Sequence, residues 1–185
     1  MAYIETISPV QAGGELKNIY EKLITSRGKI AEVHKIQSLN PEALVAHMDF
    51  YMVIMFGKSP LKRYQREMLG VIVSVINKCD YCVTHHEQAL LAYWKDKKRT
   101  EQLIKNRGRL QLSNHDRLLC ELAERLTANE SRDYSDQVEI LKSAGFKDRA
   151  VLDAVQVIAY FNFVNRIVLG LGVTPSADEM KGYKY

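Results

Sequence analysis

The stretch DRAVLDAVQVIAYFNFVNRIVLGLGV, residues 148–173, constrains the fold more than any other part of the chain. Its spacing predicts a helix from 148 to about 169, closed by the glycines at 170 and 172. Val155, Val157, Ile158, Ala159, Phe161, Phe163 and Val164 cannot share one narrow face of that helix. It must therefore be covered from more than one direction, by other helices of the chain or by a second subunit. The expectation is a helical core that assembles into an oligomer.

The rest of the chain supports the same class. The segment PEALVAHMDFYMVIMF, 41–56, places Pro at a first helical position behind Asn40 and ends at Gly57. Residues 61–76 carry charge early and become wholly apolar at MLGVIVSVI, which predicts a helix that leaves the surface and enters the core. Asn77-Lys78 is the expected break, followed by a helix over about 81–94. Further helices are predicted over 114–127, capped by Ser113, and from Ser135 to a C-cap at Gly145. No segment alternates with strand periodicity between hairpin turns. The expected fold class is all-α: one helical-bundle domain spanning 1–185, with its core motif at 61–94. QAGG at 11–14 and the C-terminal tail from about 174 to 185 are expected to be flexible.

Composition excludes several functions. With 46% hydrophobic and 26% charged residues and a net charge of +4, the 185-residue chain suits a soluble globular domain. The densest basic stretch, 94–109, is interrupted by acids and carries few aromatics, so it reads as solvated surface rather than a nucleic-acid site. The run MLGVIVSVI is under half the length of roughly 20 residues that a membrane span needs. The first residues lack the pattern of a secretory signal, so the expected location is the cytoplasm, with no membrane partner. A reducing compartment would not keep a structural disulfide, and the three cysteines therefore need another explanation.

Cys79 and Cys82 lie in KCDYCVTHHEQ, beside His85 and His86. Covalent haem needs a histidine directly after the second cysteine, where this chain has Val83. Zinc could take Cys79, Cys82 and His86, with a fourth ligand from His85, His34, His47, His115 or Cys120. A thioredoxin-type dithiol would need a βαβ frame, which the pattern does not offer. A dithiol peroxidase built on helices uses the most residues. If Cys79 opens a helix, the unpaired amides and the positive dipole end favour a thiolate there. Cys82 and His86, four apart, share a face of that helix.

An imidazole of this kind needs an orienting carboxylate, and Glu67 is the candidate. Along one straight helix Glu67 and His86 would be about 28 Å apart. If the chain reverses at Asn77-Lys78, Glu67 lies about 15 Å before the turn and His86 about 13 Å after it, level on antiparallel neighbours. A buried Glu beside MLGVIVSVI is costly without such a partner.

Glu67, eleven residues, then Cys79-x-x-Cys82-x-x-x-His86 resembles the signature of the alkylhydroperoxidase D-like branch of the carboxymuconolactone decarboxylase-like family. The ending YFNFVNRIVLGLGV, with Asn165 and Arg166, is similar to that of its peroxidase-related members. The resemblance implies an all-helical homo-oligomer, trimeric or hexameric, that reduces hydroperoxides without metal or other cofactor. It also implies Cys82 as the peroxidatic thiol, Cys79 as the resolving thiol, a relay from Glu67 through His86, and regeneration by a lipoyl or thioredoxin-like dithiol protein. Tyr81 stands where the better-known peroxidase has a histidine. The alternative from another class is a non-enzymatic zinc-binding or redox-sensing module using the same cysteine pair.

The remaining candidates read more simply. Cys120 is a small core residue. His34, His47 and His115 read as helix-end or surface residues, and His85 as surface or interface. Tyr160 and Phe161 read as packing, and Arg166 as either a buried ion-pair member or a pocket charge.

Overall fold

The computed structural model describes residues 2–176 and 179. Among these the secondary structure is entirely helical: α1 (Gly14–Arg27), α2 (Glu32–Lys35), α3 (Pro41–Phe56), α4 (Arg63–Ile76), α5 (Asp80–Trp94), α6 (Lys97–Lys105), a 3-10 turn (Arg107–Arg109), α7 (Asn114–Ala128), α8 (Ser135–Ser143) and α9 (Asp148–Leu171). The C-terminal tail expected to be flexible lies largely outside the described residues. The chain forms two compact units, Met1–Met52 with Arg166–Tyr185, and Val53–Asn165. The boundaries between them fall inside α3 and α9.

In the first unit, Leu16, Ile19, Tyr20 and Leu23 of α1 recur at helical spacing and join Ile30, Leu44 and Met48 in a buried cluster. QAGG is not a loose connector here. Gln11 and Ala12 donate their backbone N–H groups to the Ser8 carbonyl at 3.0 Å, and Gly14, at φ 54°, is the first residue of α1. His47 is buried in mid-helix rather than at a helix end or on the surface, and its Nδ1 meets the Gln37 side chain at 2.8–3.0 Å. His34 closes α2 and is buried as well. Arg166 is exposed on α9, so it is not a buried ion-pair member.

Burial pushes the His47 imidazole down from its ordinary 6.5 to about 4. The unfolded chain therefore takes up a proton near pH 6.5 that the folded chain refuses until about pH 4. Stability is fully present above the upper value and declines as pH falls through this window, by up to about 3 kcal/mol. Urea unfolding across the window should show this decline, and His47→Leu should remove most of it.

The second unit contains α4 at its centre, packed against α5, α6 and α7. Met68, Leu69, Val71, Ile72 and Val73 are fully buried, as expected of a helix that runs from surface into core. Side chains satisfy several of the helix ends in this unit. Gln65 Oε1 accepts from the Lys62 N–H at 2.9 Å to start α4, Ser113 Oγ accepts from Asp116 N–H at 3.1 Å to start α7, and the Arg66 guanidinium donates to the carbonyls of Ile54, in the last turn of α3, and Gly57, just past it.

The break after α4 is a Schellman turn. Cys79 N–H returns to the Ser74 carbonyl at 2.9 Å, Lys78 N–H returns to Val75 at 3.1 Å, and Lys78 takes the left-handed conformation, φ 56°. A side-chain-bearing residue there costs roughly 1 kcal/mol relative to glycine. Cys79, the last residue of that turn, is also the N-cap of α5. One residue thus ends one helix and begins the next, which fixes the hairpin tightly.

α9 has the length and composition of a membrane-crossing helix, the one such helix among the described residues. Its buried polar groups are nevertheless bonded to other helices of the second unit or to the segment before them: Asp153 accepts from Ser59 Oγ at 2.6 Å and Asn165 donates to Ser74 Oγ at 3.2 Å. That is the pattern of a packed core helix. α4 and α9 approach closely at Gly70, where an added Cβ would lie 2.7 Å from the Phe161 ring.

Candidate active site

Glu67, Cys79, Cys82 and His86 all lie in the second unit, on the α4–α5 hairpin. Glu67 is fully buried, and its Oε2 meets His86 Nδ1 at 2.7 Å. The reversal at Asn77-Lys78 thus brings together two residues that a continuous helix would separate. Oε1 of the same carboxylate is held by Arg63, one turn earlier on α4, through Nε at 3.0 Å and through a second guanidinium nitrogen. Arg63 in turn lies over the Phe56 ring, 3.7 Å from its centroid. Burial by itself would raise the pKa of Glu67, but His86 and Arg63 outweigh it and hold the carboxyl below its usual range.

An ionised Glu67 accepts only, so Nδ1 of His86 carries a proton toward it and Nε2 is the free basic position of the neutral ring. The ring is fixed from the side by Phe161, edge-on at 4.4 Å between centroids. Phe161 is itself backed by Tyr160 at 5.3 Å and by the close approach at Gly70. Phe161 is therefore packing, as its position in an apolar helix suggested, but packing that orients the imidazole.

Cys79 and Cys82 are both free thiols and almost wholly buried. A hydrogen bond from the Cys82 thiol lowers the pKa of Cys79 against the opposing effect of burial, and the nearby Cys82 backbone N–H adds to it without completing a capping hydrogen bond. The same bond, with burial, raises Cys82 well above its ordinary value, while a hydrogen bond from Asn165 pulls it back down. At rest the pair therefore carries its charge more readily on Cys79, at the end of the helix dipole, and its proton on Cys82. The hydrogen bonds described for His86 do not include Cys82.

Spacing alone did not bring out Arg63 or Asn77. Arg63 was legible as an i, i+4 partner of Glu67. Asn77, taken only as a helix break, donates to Asn162 Oδ1 at 2.9 Å and to Asn165 Oδ1 at 3.0 Å. His85 is half-buried with its ring 4.5 Å from that of Tyr81, apart from the Glu67–His86 contact. Cys120 is a buried core thiol whose pKa burial raises. Among the described residues no three His, Cys, Asp or Glu side chains gather as a metal site, so Cys79, Cys82 and His86 are not arranged as zinc ligands. Two cavities of the second unit, about 540 and about 490 Å³, are lined by neither cysteine of the pair and not by His86.

The profile of the carboxymuconolactone decarboxylase family matches residues 41–109, a span that contains Glu67, both cysteines and His86. Over that span the chain is similar to the carboxymuconolactone decarboxylase family. An uncharacterized peroxidase-related protein from Silicibacter sp. is 29% identical over 95% of this chain and 94% of its own, with a TM-score of 0.83. The alkylhydroperoxidase AhpD core of a peroxidase-related protein from Ralstonia eutropha is 20% identical over 97% and 94%, with a TM-score of 0.86. The debrominase Bmp8, solved with 2,3,4-tribromopyrrole, has the same fold at 14% identity over 98% and 100%, with a TM-score of 0.77. The comparison with curated proteins returns no match. The fold of this family thus hosts more than one chemistry, and the reaction must be argued from the site.

Proposed function

We propose that the chain is a soluble, thiol-dependent peroxidase of a reducing compartment, acting through Cys82 and Cys79 with Glu67 and His86 as proton-handling partners. The observation that carries this reading is a pair of buried free thiols at the start of α5, one helical turn from an imidazole hydrogen-bonded to a buried carboxylate. The peroxidase-related and alkylhydroperoxidase names of two structural neighbours point the same way.

In the proposed cycle His86 Nε2 takes the proton of Cys82, directly or through one water, once the hydroperoxide is bound. The Cys82 thiolate attacks the distal peroxide oxygen. The O–O bond breaks, the thiol sulfur is oxidised to a sulfenic acid, and the alkoxide leaves as alcohol after taking the proton from His86. The Cys79 thiolate then displaces hydroxide from the Cys82 sulfur to form the Cys79–Cys82 disulfide. An external dithiol, lipoyl or thioredoxin-like, reduces it by exchange. The cycle uses no metal or cofactor, and its natural setting is a homo-oligomer, a trimer or hexamer.

Purified protein mixed with an alkyl hydroperoxide and dihydrolipoamide should consume one dithiol per peroxide and yield one alcohol. Formation of the disulfide with one equivalent of peroxide consumed per chain and no further turnover would instead support a redox-sensing module.

A further inference from the structure

We propose that Arg63 is a positioning residue of the site: by holding one oxygen of Glu67 it decides which group faces His86, and through that which ring nitrogen is left bare. The proposal rests on the peroxidase reading above only for the use to which the bare nitrogen is put.

Arg63 reaches Glu67 one turn along α4, with Nε donating to Oε1 at 3.0 Å and Nη2 donating to the same oxygen. Glu67 is fully buried, so it cannot exchange that partner for water. Arg63 is itself largely buried, and its guanidinium lies over the ring of Phe56, the last residue of α3, at 3.7 Å from the centroid. The fork is thus held in place from outside as well as by the carboxylate.

A guanidinium has five donors and no acceptor, so the atom it meets on residue 67 must be an oxygen. An imidazole is different, because Nδ1 donates in one tautomer and accepts in the other. In the line Arg63–Glu67–His86 the arginine end is therefore fixed and the histidine end adapts. With a carboxylate between them both ends meet oxygen. Nδ1 then carries its proton toward Oε2, 2.7 Å away, and Nε2 is bare to receive the Cys82 proton. Phe161, edge-on to the ring at 4.4 Å between centroids, resists a turn of the imidazole that would exchange its nitrogens. The charge of Arg63 also favours the ionised carboxyl against burial, and only the ionised form accepts at both oxygens.

Removing Arg63 therefore has opposite effects in two backgrounds. In the parent it releases one end of the carboxylate and slows the reaction. In Glu67→Gln, Arg63 claims the amide oxygen and turns the NH2 toward His86. Without Arg63 that amide can rotate, set its oxygen against Nδ1–H and leave Nε2 bare again. A lysine would not permit this, since an ammonium also only donates.

The test uses the full-length chain labelled with 15N. Long-range 1H–15N spectra of the neutral ring, assigned to His86 by comparison with His86→Gln, show which nitrogen carries the proton, and stopped flow gives the rate of dithiol oxidation by peroxide. Glu67→Gln should move the proton from Nδ1 to Nε2. Adding Arg63→Met should return it to Nδ1 and make oxidation about ten-fold faster than in Glu67→Gln alone, whereas adding Arg63→Lys should do neither. Arg63→Met alone should slow the parent by about ten-fold. A merely structural role predicts that the two losses accumulate. A double variant that keeps the proton on Nε2 and oxidises no faster than Glu67→Gln overturns the proposal, as does equal recovery with Arg63→Lys. If Arg63→Met fails to fold, Arg63→Ala replaces it with the same two outcomes. If the parent consumes no peroxide while the ring proton moves as described, the peroxidase reading fails and the role of Arg63 stands. If peroxide is consumed and the ring proton does not move, the proposal alone fails.

Discussion

Glu67→Gln is expected to slow peroxide oxidation of the dithiol by about 10²- to 10³-fold. The substitution keeps the size of the side chain, so the effect is one of charge and donor pattern. The carboxylate accepts from Arg63 with one oxygen and from His86 with the other. A carboxamide can accept on one side only, and its NH2 must face either the guanidinium or the imidazole N–H. The guanidinium cannot accept, so the oxygen stays on Arg63 and the NH2 faces His86, whose Nδ1 must then accept and whose Nε2 carries the proton instead of being free for the thiol. Because the site is buried, the variant should also lose about 2–3 kcal/mol of stability. Arg63 remains partly exposed and can turn to water, which keeps the loss at the lower end for a broken buried pair. Stopped-flow oxidation at a temperature where both proteins are folded separates rate from stability. A Glu67→Gln rate within a few-fold of the parent would remove the carboxylate from the mechanism.

Cys82→Ser should abolish peroxide reduction, by at least about 10³-fold, because a serine hydroxyl is not a competent nucleophile here. Cys79→Ser should abolish multiple turnover with a dithiol to a similar degree but spare the first step. It should still consume one equivalent of peroxide and then stop at the sulfenic acid. The structure makes this asymmetry a demanding prediction, since at rest the charge sits more readily on Cys79 than on Cys82. If resting acidity alone decided the chemistry, the two variants would exchange behaviour.

The α4–α5 hairpin was legible because its signals are local. An abrupt change from apolar run to Asn77-Lys78, and the equal distances of Glu67 and His86 from that point, determine which residues meet. α1 was hidden by its start: Gly13 and Gly14 read as a flexible connector, no side chain caps the helix, and Leu16, Ile19, Tyr20 and Leu23 are scattered among polar residues. α6 was absorbed into a basic surface because only Thr100 and Leu103 of its nine residues are buried. His47 and Arg166 show the limit from the other direction. Polarity suggested surface for one and an apolar neighbourhood suggested burial for the other, yet what surrounds each is set by contacts distant in sequence. In the site, residue identities and spacing carried Glu67, Cys79, Cys82 and His86. Arg63 at i, i+4 was available to the same reasoning. The division of charge between the two sulfurs was not, because it depends on how deeply each thiol is buried and on how the two face each other in the folded hairpin.

The most direct test is to treat the Cys79→Ser protein with one equivalent of peroxide, trap sulfenic acid with dimedone and map the adduct by mass spectrometry. The account predicts the adduct on Cys82, formed slowly or not at all when Glu67→Gln or His86→Ala is added. An adduct that is absent from Cys82 and appears instead on Cys79 of the Cys82→Ser protein would contradict it.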